Sequence, residues 1–203
     1  MSTSSKAGYH HGDLRAALLE AAMQMLEEGE PFSLRAVARR AGVSPTAPYR
    51  HFADREALES ALATEGFRDL KARLTEGRAL PSSAAELAEL GVAYVHFALQ
   101  RPALFRLMFG QPCSDASDQR VQAAAELHEL LALVLGRVFP DADVPSLATA
   151  AWGLVHGLAF LHLDGKLATT PRKDVATRVR SAFEAILSAK APRTSGPPDT
   201  TPR

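Results

Sequence analysis

Residues 32–58 read FSLRAVARRAGVSPTAPYRHFADREAL, and this stretch decides the fold. Up to position 55 it holds five arginines and a single acid, Asp54, whereas the whole chain has a formal net charge of zero. A local excess of positive charge in a neutral protein indicates an anionic partner, because patch charge matters more for nucleic-acid binding than the overall balance does. The stretch therefore predicts contact with the phosphate backbone of DNA.

Caps and apolar spacing predict a helix-turn-helix here, with its recognition motif at residues 34–53. Ser33 is a favourable N-cap, and Gly42 suits the left-handed position that ends a helix. Ser44-Pro45 then resembles an N-cap followed by proline at the first helical position, which predicts a second helix running to about Phe52. The first helix is expected to bury one face, made of Leu34, Val37, Ala38 and Ala41.

The second helix of such a motif enters the major groove of DNA by its N-terminal residues. Small side chains there can reach base edges, and basic or hydroxyl groups at helix N-termini favour phosphate. Pro48 is unusual in this helix, since it removes a backbone donor and is expected to bend the helix without ending it. The predicted DNA contacts are Ser33, Arg35, Ser44, Pro45, Thr46, Ala47, Tyr49, Arg50, His51 and Arg55.

The rest of the chain is also predicted to be helical, which makes the fold all-α with about nine helices. A fourth helix capped by Asp54 leads away from the basic segment, and Ser83 with Glu86 forms a capping-box pattern for the next. The helix at about 119–138 is expected to turn Val121, Ala125, His128, Leu131 and Leu135 inward. The last helix is expected to do the same with Val175, Val179, Ala182, Phe183 and Ile186.

Composition places the chain among ordinary soluble proteins, with 46% hydrophobic and 23% charged residues. No unbroken run of 18 apolar residues occurs, so no membrane span is expected. The single Cys113 and the lack of an apolar leader at the N-terminus favour the cytoplasm. Glu20, Glu27, Glu28 and Glu30 lie on or just after the first helix and are expected to lie away from the basic segment.

GVSPTAPYRHFADREAL, following the amphipathic HGDLRAALLEAAMQML, resembles the DNA-binding domain of the TetR/AcrR family of transcriptional regulators. The resemblance covers roughly residues 11–71 and implies an all-α homodimer that binds DNA and a small ligand. By position, Gly42 matches the turn glycine, Tyr49 and His51 match phosphate contacts, and Arg55 stands where the family usually has lysine. Pro48 departs from the commoner leucine.

The resemblance divides the chain into a flexible arm at 1–10, a DNA-binding domain at 11–71, a ligand-binding and dimerisation domain at 78–190, and a disordered tail at 191–203. In the third part, AWGLVHG at 151–157 is similar to the Trp…His-Gly (WHG) signature of one TetR subclass, and RPALFRLMF also fits it. An apolar pocket there suits a hydrophobic or aromatic effector. The candidate pocket residues are Phe67, Tyr94, Phe97, Phe105, Met108, Phe109, Trp152 and His156.

The helix from about Pro145 is apolar nearly all round, so more than one of its faces is expected to be buried. Gly153 and Gly157, four residues apart, would let a second helix approach closely. A four-helix bundle with a symmetry mate would account for both features. The candidate dimer-interface residues are Gly153, Gly157, Leu161, Val179, Phe183 and Ile186.

Other functions have little support in the sequence. The histidines show no metal-ligand spacing, so no metal and no cofactor are expected. Ser114, Asp115 and His128 form no recognisable catalytic motif, so no catalytic residue is expected, and Cys113 lacks a neighbouring base. A DNA-coating protein would need a wider basic surface than residues 56–203 offer, with 16 basic and 17 acidic residues.

These observations predict a repressor that a small molecule releases from a palindromic operator in double-stranded DNA. The fourth helix joins both domains and is expected to carry the motion. An activator or a ligand-independent regulator of the same fold stays open, and a helical enzyme is a remote alternative.

Overall fold

A computed structural model describes residues 14–31, 33–77, 79–110 and 118–188. This part of the chain is all-helical, as predicted, and contains eight α-helices and one short 3₁₀ helix at Ala47–Arg50. The α-helices are α1 (Leu14–Glu27), α2 (Leu34–Arg40), α3 (Arg55–Thr75), α4 (Ala84–Gln100), α5 (Pro102–Gly110), α6 (Gln119–Val138), α7 (Val144–Leu163) and α8 (Arg172–Ser188).

Side-chain caps fix where several helices begin. Asp54 accepts a hydrogen bond from the backbone N–H of Ala57 at 2.8 Å, and Ser83 accepts one from Glu86 at 3.3 Å. The Glu86 carboxylate in turn accepts from the backbone N–H of Ser82 at 2.7 Å, so the capping box is shifted by one residue. The bonds to Asp54 and Ser83 each satisfy an N–H group that the first turn of a helix leaves unpaired, and the bond to Glu86 holds the residue just before the cap. The predicted arm at 1–10 and tail at 191–203 lie outside the described residues.

Two hydrophobic cores share one helix. The smaller core packs α1, α2 and the first half of α3, and it ends along the chain at Leu62. The larger core begins at Ala63 and packs the rest of α3 against α4 to α8. Leu62 and Ala63 are both fully buried, so consecutive residues of α3 serve different cores. The two cores therefore meet within one continuous helix, without a linker.

The inward faces of α6 and α8 differ from the prediction. Leu135 of α6 is buried as predicted, but Ala125 and His128 are exposed, and Ala123 and Val134 are buried in their place. On α8, Ile186 is 51% exposed. Both helices carry apolar residues on more than one face, so spacing alone does not determine which face meets the core.

Candidate nucleic-acid interface and ligand cavity

The first helix of the helix-turn-helix forms as predicted. The Ser33 hydroxyl accepts a hydrogen bond from the backbone N–H of Ala36 at 3.2 Å, which caps α2. Leu34, Val37 and Ala38 are buried in the smaller core. Because its inner face is held and its start is capped, α2 presents Arg35 and Arg39 to solvent.

Gly42 ends α2 in the conformation that the sequence indicates. Its φ is +69°, in the left-handed region that favours glycine. Its N–H donates to the carbonyl of Arg39 at 3.2 Å, and the N–H of Val43 donates to the carbonyl of Ala38 at 2.9 Å. These two bonds form a Schellman motif, which satisfies the last carbonyls of α2. The chain then turns into residues 44–52, the reading segment, which would face the DNA bases.

The predicted α-helix from Pro45 to Phe52 is wrong. The Ala47 N–H donates to the Ser44 carbonyl at 3.0 Å, which closes a turn, and the chain then forms the 3₁₀ helix. Pro48 lies in its first turn, where it has no N–H to give and disfavours helical geometry in the residue before it. Ser44 is therefore not an N-cap, and its hydroxyl lies 3.1 Å from that of Thr46.

Pro48 nevertheless anchors the reading segment. It is buried while Tyr49 and Arg50 beside it are exposed, so it occupies an inward position in the segment. Its carbonyl accepts from the N–H groups of His51 and Phe52, both at 2.9 Å. Pro48 thus fixes the turn of the backbone from a buried position, and the buried Phe52 joins the segment to the smaller core.

The predicted DNA contacts are available on the surface. Ala47 is half-buried and the other nine are exposed, as side chains that meet phosphates or base edges need to be. The exposed set is Ser33, Arg35, Ser44, Pro45, Thr46, Tyr49, Arg50, His51 and Arg55.

Two arginines of the basic stretch already form ion pairs with acidic side chains of the protein. Arg40 pairs with Glu28 at 2.6 Å and with Glu30 at 2.9 Å, so the prediction that these acids lie away from the basic segment is wrong. The hydrogen bond that Arg40 donates to the Glu28 carboxylate is the main reason that the pKa of Arg40 is raised. Arg55 pairs with Glu59 at 2.8 Å. Arg40 therefore ties the end of α2 to the chain after α1.

A cavity of about 90 Å³ lies among the six helices α3 to α8. Four of the eight candidate pocket residues line it, namely Phe67, Tyr94, Phe109 and Trp152. Much of the remaining wall comes from leucines of α6 (Leu127, Leu130 and Leu131) and from His128 and Phe183, none of which the sequence assigned to a pocket. Within the described part of the chain, no Asp, Glu, Lys or Arg lines the cavity.

The other four candidates lie behind this wall. Phe97, Phe105 and Met108 are at most 2% exposed and belong to the larger core. His156 sits in a cluster of aromatic rings, with its ring centroid 4.6 Å from that of Phe109, and its Nδ1 lies 3.0 Å from the Tyr94 hydroxyl. Burial lowers the pKa of His156, so the imidazole is neutral at neutral pH.

The candidate dimer residues divide into two groups. Gly153, Gly157 and Leu161 of α7 and Ile186 of α8 are exposed, so they are free to meet a partner. Val179 and Phe183 are buried within the protomer, at 0% and 5% exposure, which corrects their assignment to a dimer interface. Phe183 is committed to Gly91 on α4, where an added Cβ would come within 2.5 Å of its ring.

Helix α7 is long and apolar enough to cross a membrane by length and composition, although the sequence shows no unbroken apolar run. The helix is this apolar because it contains no Asp, Glu, Lys or Arg between Val144 and Leu163. Core helices of soluble proteins meet the same criterion, so this is weak evidence for a span. Only 28% of the most apolar 18-residue stretch of α7 is buried inside the protein, so part of the apolar surface of this helix faces outward.

Among the residues that the structure describes, no three His, Cys, Asp or Glu side chains are grouped as metal ligands would be. Cys113, Ser114 and Asp115 lie outside that part of the chain. His128 is exposed at the rim of the cavity, 6.0 Å from the Trp152 ring.

Comparisons with known proteins agree with this architecture. Residues 87–190 match the family model described as "Tetracyclin repressor-like, C-terminal domain", and residues 18–62 match "Bacterial regulatory proteins, tetR family". A solved protein of unknown function from Rhodococcus sp. RHA1 is 37% identical, with a TM-score of 0.74 over 88% of this chain and 97% of that one.

Two more distant structures share the fold. A tetR-family transcriptional regulator from Streptomyces coelicolor is 21% identical, with a TM-score of 0.66 over 85% of this chain and 82% of that one. The transcriptional regulator FadR from Bacillus subtilis, solved with stearoyl-CoA, is 14% identical, with a TM-score of 0.64 over 87% of this chain and all of the other.

Proposed function

This chain belongs to the TetR family of DNA-binding transcriptional regulators, and on that premise we propose that it is a cytoplasmic repressor released from a palindromic operator by a neutral small molecule. The observation that carries the proposal is the position of α3. Leu58 and Leu62 hold its first half in the DNA-binding core, and Phe67 and Leu74 of its second half line the cavity. A ligand that displaces these wall residues moves the helix that supports the reading segment.

Two ion pairs of Arg101 offer a second way for a movement of α3 to reach its neighbouring helices. Arg101, at the end of α4, donates to Glu27 of α1 at 2.9 Å and to Asp69 of α3 at 2.7 Å. All three side chains are less than a third exposed, so solvent screens these pairs only in part. A tilt of α3 against α1 stretches one of the two bonds, which couples the angle between these helices to the end of α4.

Two copies are needed to read a palindrome. One short 3₁₀ segment reaches only a few base pairs, whereas two related by a two-fold axis fit major grooves about one turn apart, ~34–36 Å. The exposed residues Gly153, Gly157 and Leu161 of α7, with Ile186 of α8, supply an apolar face for the homodimer. When a bound ligand favours a state with a different spacing of the two reading segments, the dimer loses affinity for the operator. The size of this loss depends on how much more tightly the ligand binds that state than the DNA-binding state.

The cavity favours a neutral, apolar or aromatic effector. Burying an unpaired charge in such surroundings costs far more than apolar contacts return, and no charged side chain of the wall is present to compensate. The volume of about 90 Å³ is smaller than the roughly 150 Å³ of an apolar cavity that holds benzene, so a ring enters only when wall residues move apart. A protein of the same fold is solved with an acyl-CoA, which supports a small-molecule effector in this chain as well.

The test begins with selection of a binding site from random duplex DNA, where the full-length protein is expected to enrich one palindrome. DNA release is then followed by fluorescence anisotropy with a matched pair of probes, 4-nitrotoluene and 4-nitrobenzoate, which differ mainly by a charged carboxylate. The neutral probe is expected to weaken DNA binding and the anion is not. In transcription with purified polymerase, occupancy of the palindrome is expected to reduce transcript from an overlapping promoter.

Each part of the proposal has its own contrary result. Enrichment of no sequence over competitor DNA would contradict specific recognition. More transcript upon occupancy would favour an activator. Equal effects of the two probes would contradict a charge-free effector site.

A further inference from the structure

Trp152 belongs both to the wall of the cavity and to the protein surface. Its side chain lines the cavity, yet 41% of the residue is exposed to solvent. Its ring lies 6.0 Å from that of His128 of α6, which is exposed and lines the same cavity. The cavity therefore opens to the surface between α6 and α7, and Trp152 stands at that mouth.

The mouth borders an uncovered apolar face of α7. At 100° per residue, Gly153, Gly157 and Leu161 span about 80° of the outward side of the helix, and Trp152 lies about 100° from Gly153 on the side that faces His128 of α6. A Cβ added at either glycine would meet nothing within 4 Å, and Leu161 is 44% exposed. The protomer thus leaves a shallow, charge-free strip beside the cavity.

A second copy of this chain is the occupant that fits the strip. Helix α7 has no Asp, Glu, Lys or Arg from Val144 to Leu163, so a charged partner surface would find no opposite charge there. The same face of another copy of the chain is equally uncharged and leaves no charge unpaired. The two glycines allow backbones to approach closely, and one patch that meets itself across a two-fold axis closes the assembly. Ile186, exposed on the neighbouring α8, extends the apolar area.

We propose that the partner subunit covers the mouth of the cavity, so that Trp152 is a wall of the effector site and a dimer contact at the same time. This inference rests on the homodimer and the effector cavity proposed above and adds that the site is complete only in the dimer. A ligand in the cavity and the second subunit then share Trp152. By linkage, dimerisation strengthens ligand binding by the same factor by which the ligand strengthens the dimer.

The chain has one tryptophan, so its fluorescence reports on Trp152 alone. Gly153→Arg and Leu161→Arg place a charge in the strip without crowding the protomer at the glycine, while Ala85→Arg is a control on the exposed first turn of α4. Sedimentation gives the mass, and iodide quenching gives the solvent access of Trp152. We expect the two strip variants to be monomers with severalfold stronger quenching, and the control to match the wild type.

The same proteins are titrated with 4-nitrotoluene, a neutral ring that quenches tryptophan. We expect the monomeric variants to bind it roughly tenfold more weakly, a coupling of about 1.4 kcal/mol. Monomers with unchanged iodide quenching would overturn the inference and leave the proposed dimer standing. Variants that remain dimers would overturn both, because α7 would then not be the interface. If the neutral ring binds to no protein, the iodide result alone decides.

Discussion

The Tyr94 hydroxyl lies 3.0 Å from Nδ1 of His156, and each group satisfies the other beside an apolar cavity. Burial raises the pKa of Tyr94 and lowers the pKa of His156, so both are uncharged at neutral pH. A phenol is the stronger donor of this pair and a neutral imidazole nitrogen the stronger acceptor, so the hydroxyl donates. The bond joins α4 to α7 without adding charge near the ligand.

Acid is expected to destabilise the protein through its buried histidines. The pKa values of His96, His156 and His162 are lowered mainly by burial, whereas in the unfolded chain they return to about 6.5. The unfolded state therefore binds more protons as the pH falls through that value, and stability decreases. Between about pH 7.5 and pH 5, the midpoint of thermal unfolding is expected to fall less in His156→Phe than in the wild type. Parallel pH profiles of the two proteins would contradict this.

Two glycines are expected to respond oppositely to alanine. Gly42→Ala forces an L side chain to a φ of +69° and is expected to cost about 1–2 kcal/mol, lowering the unfolding midpoint by a few degrees. Gly136→Ala is the matched control, because its new Cβ would lie 3.7 Å from Val144 in an ordinary contact within α6. It is expected to stabilise by about 0.5–1 kcal/mol. Thermal unfolding of both variants checks this, and equal shifts would show that Gly42 is not conformationally required.

Pro48→Ala is expected to loosen the reading segment. The variant loses a buried ring and gains freedom in the unfolded chain, for a combined cost of about 1–2 kcal/mol. Specific DNA affinity is expected to fall more than non-specific affinity, because base contacts depend on the position of the segment. Denaturant unfolding and competition binding measure the two effects. A variant that keeps both its stability and its specificity would show that Pro48 has no anchoring role.

Arg50→Ala is expected to weaken binding to every DNA sequence and to lower the slope of log affinity against log salt by roughly one. Arg50 is exposed, and no ion pair of its side chain appears in the described ranges. Arg68→Ala removes a surface arginine that pairs with Glu65 on α3 and serves as the control. Anisotropy titrations at several salt concentrations give the slopes. A change in sequence preference alone would mean that Arg50 reads bases.

Features set by neighbouring residues could be predicted from the sequence. The caps at Ser33, Asp54 and Ser83 and the left-handed Gly42 depend on contacts within five positions of the chain. The 3₁₀ helix departs from the prediction because Ser44-Pro45 resembles a helix start, whereas Pro48 lacks an N–H donor and disfavours helical geometry in the residue before it.

Features set by packing could not be predicted in the same way. Phe183 lies in an apolar stripe that suits either a core or an interface, and only the nearby Gly91 decides between them. Glu28 and Glu30 reach Arg40 because the turn after α1 brings them back over the end of α2. The subclass suggested by Trp152, His156 and Gly157 stays a prediction.

The boundary between Leu62 and Ala63 has a practical consequence for protein engineering. Joining the DNA-binding part of this chain to a foreign sensor would require a cut between its two cores. Here the seam lies inside a continuous helix, between two fully buried residues, so a cut at that point would expose both cores. A working chimera would have to carry all of Arg55–Thr75 and rebuild the sensor around its second half.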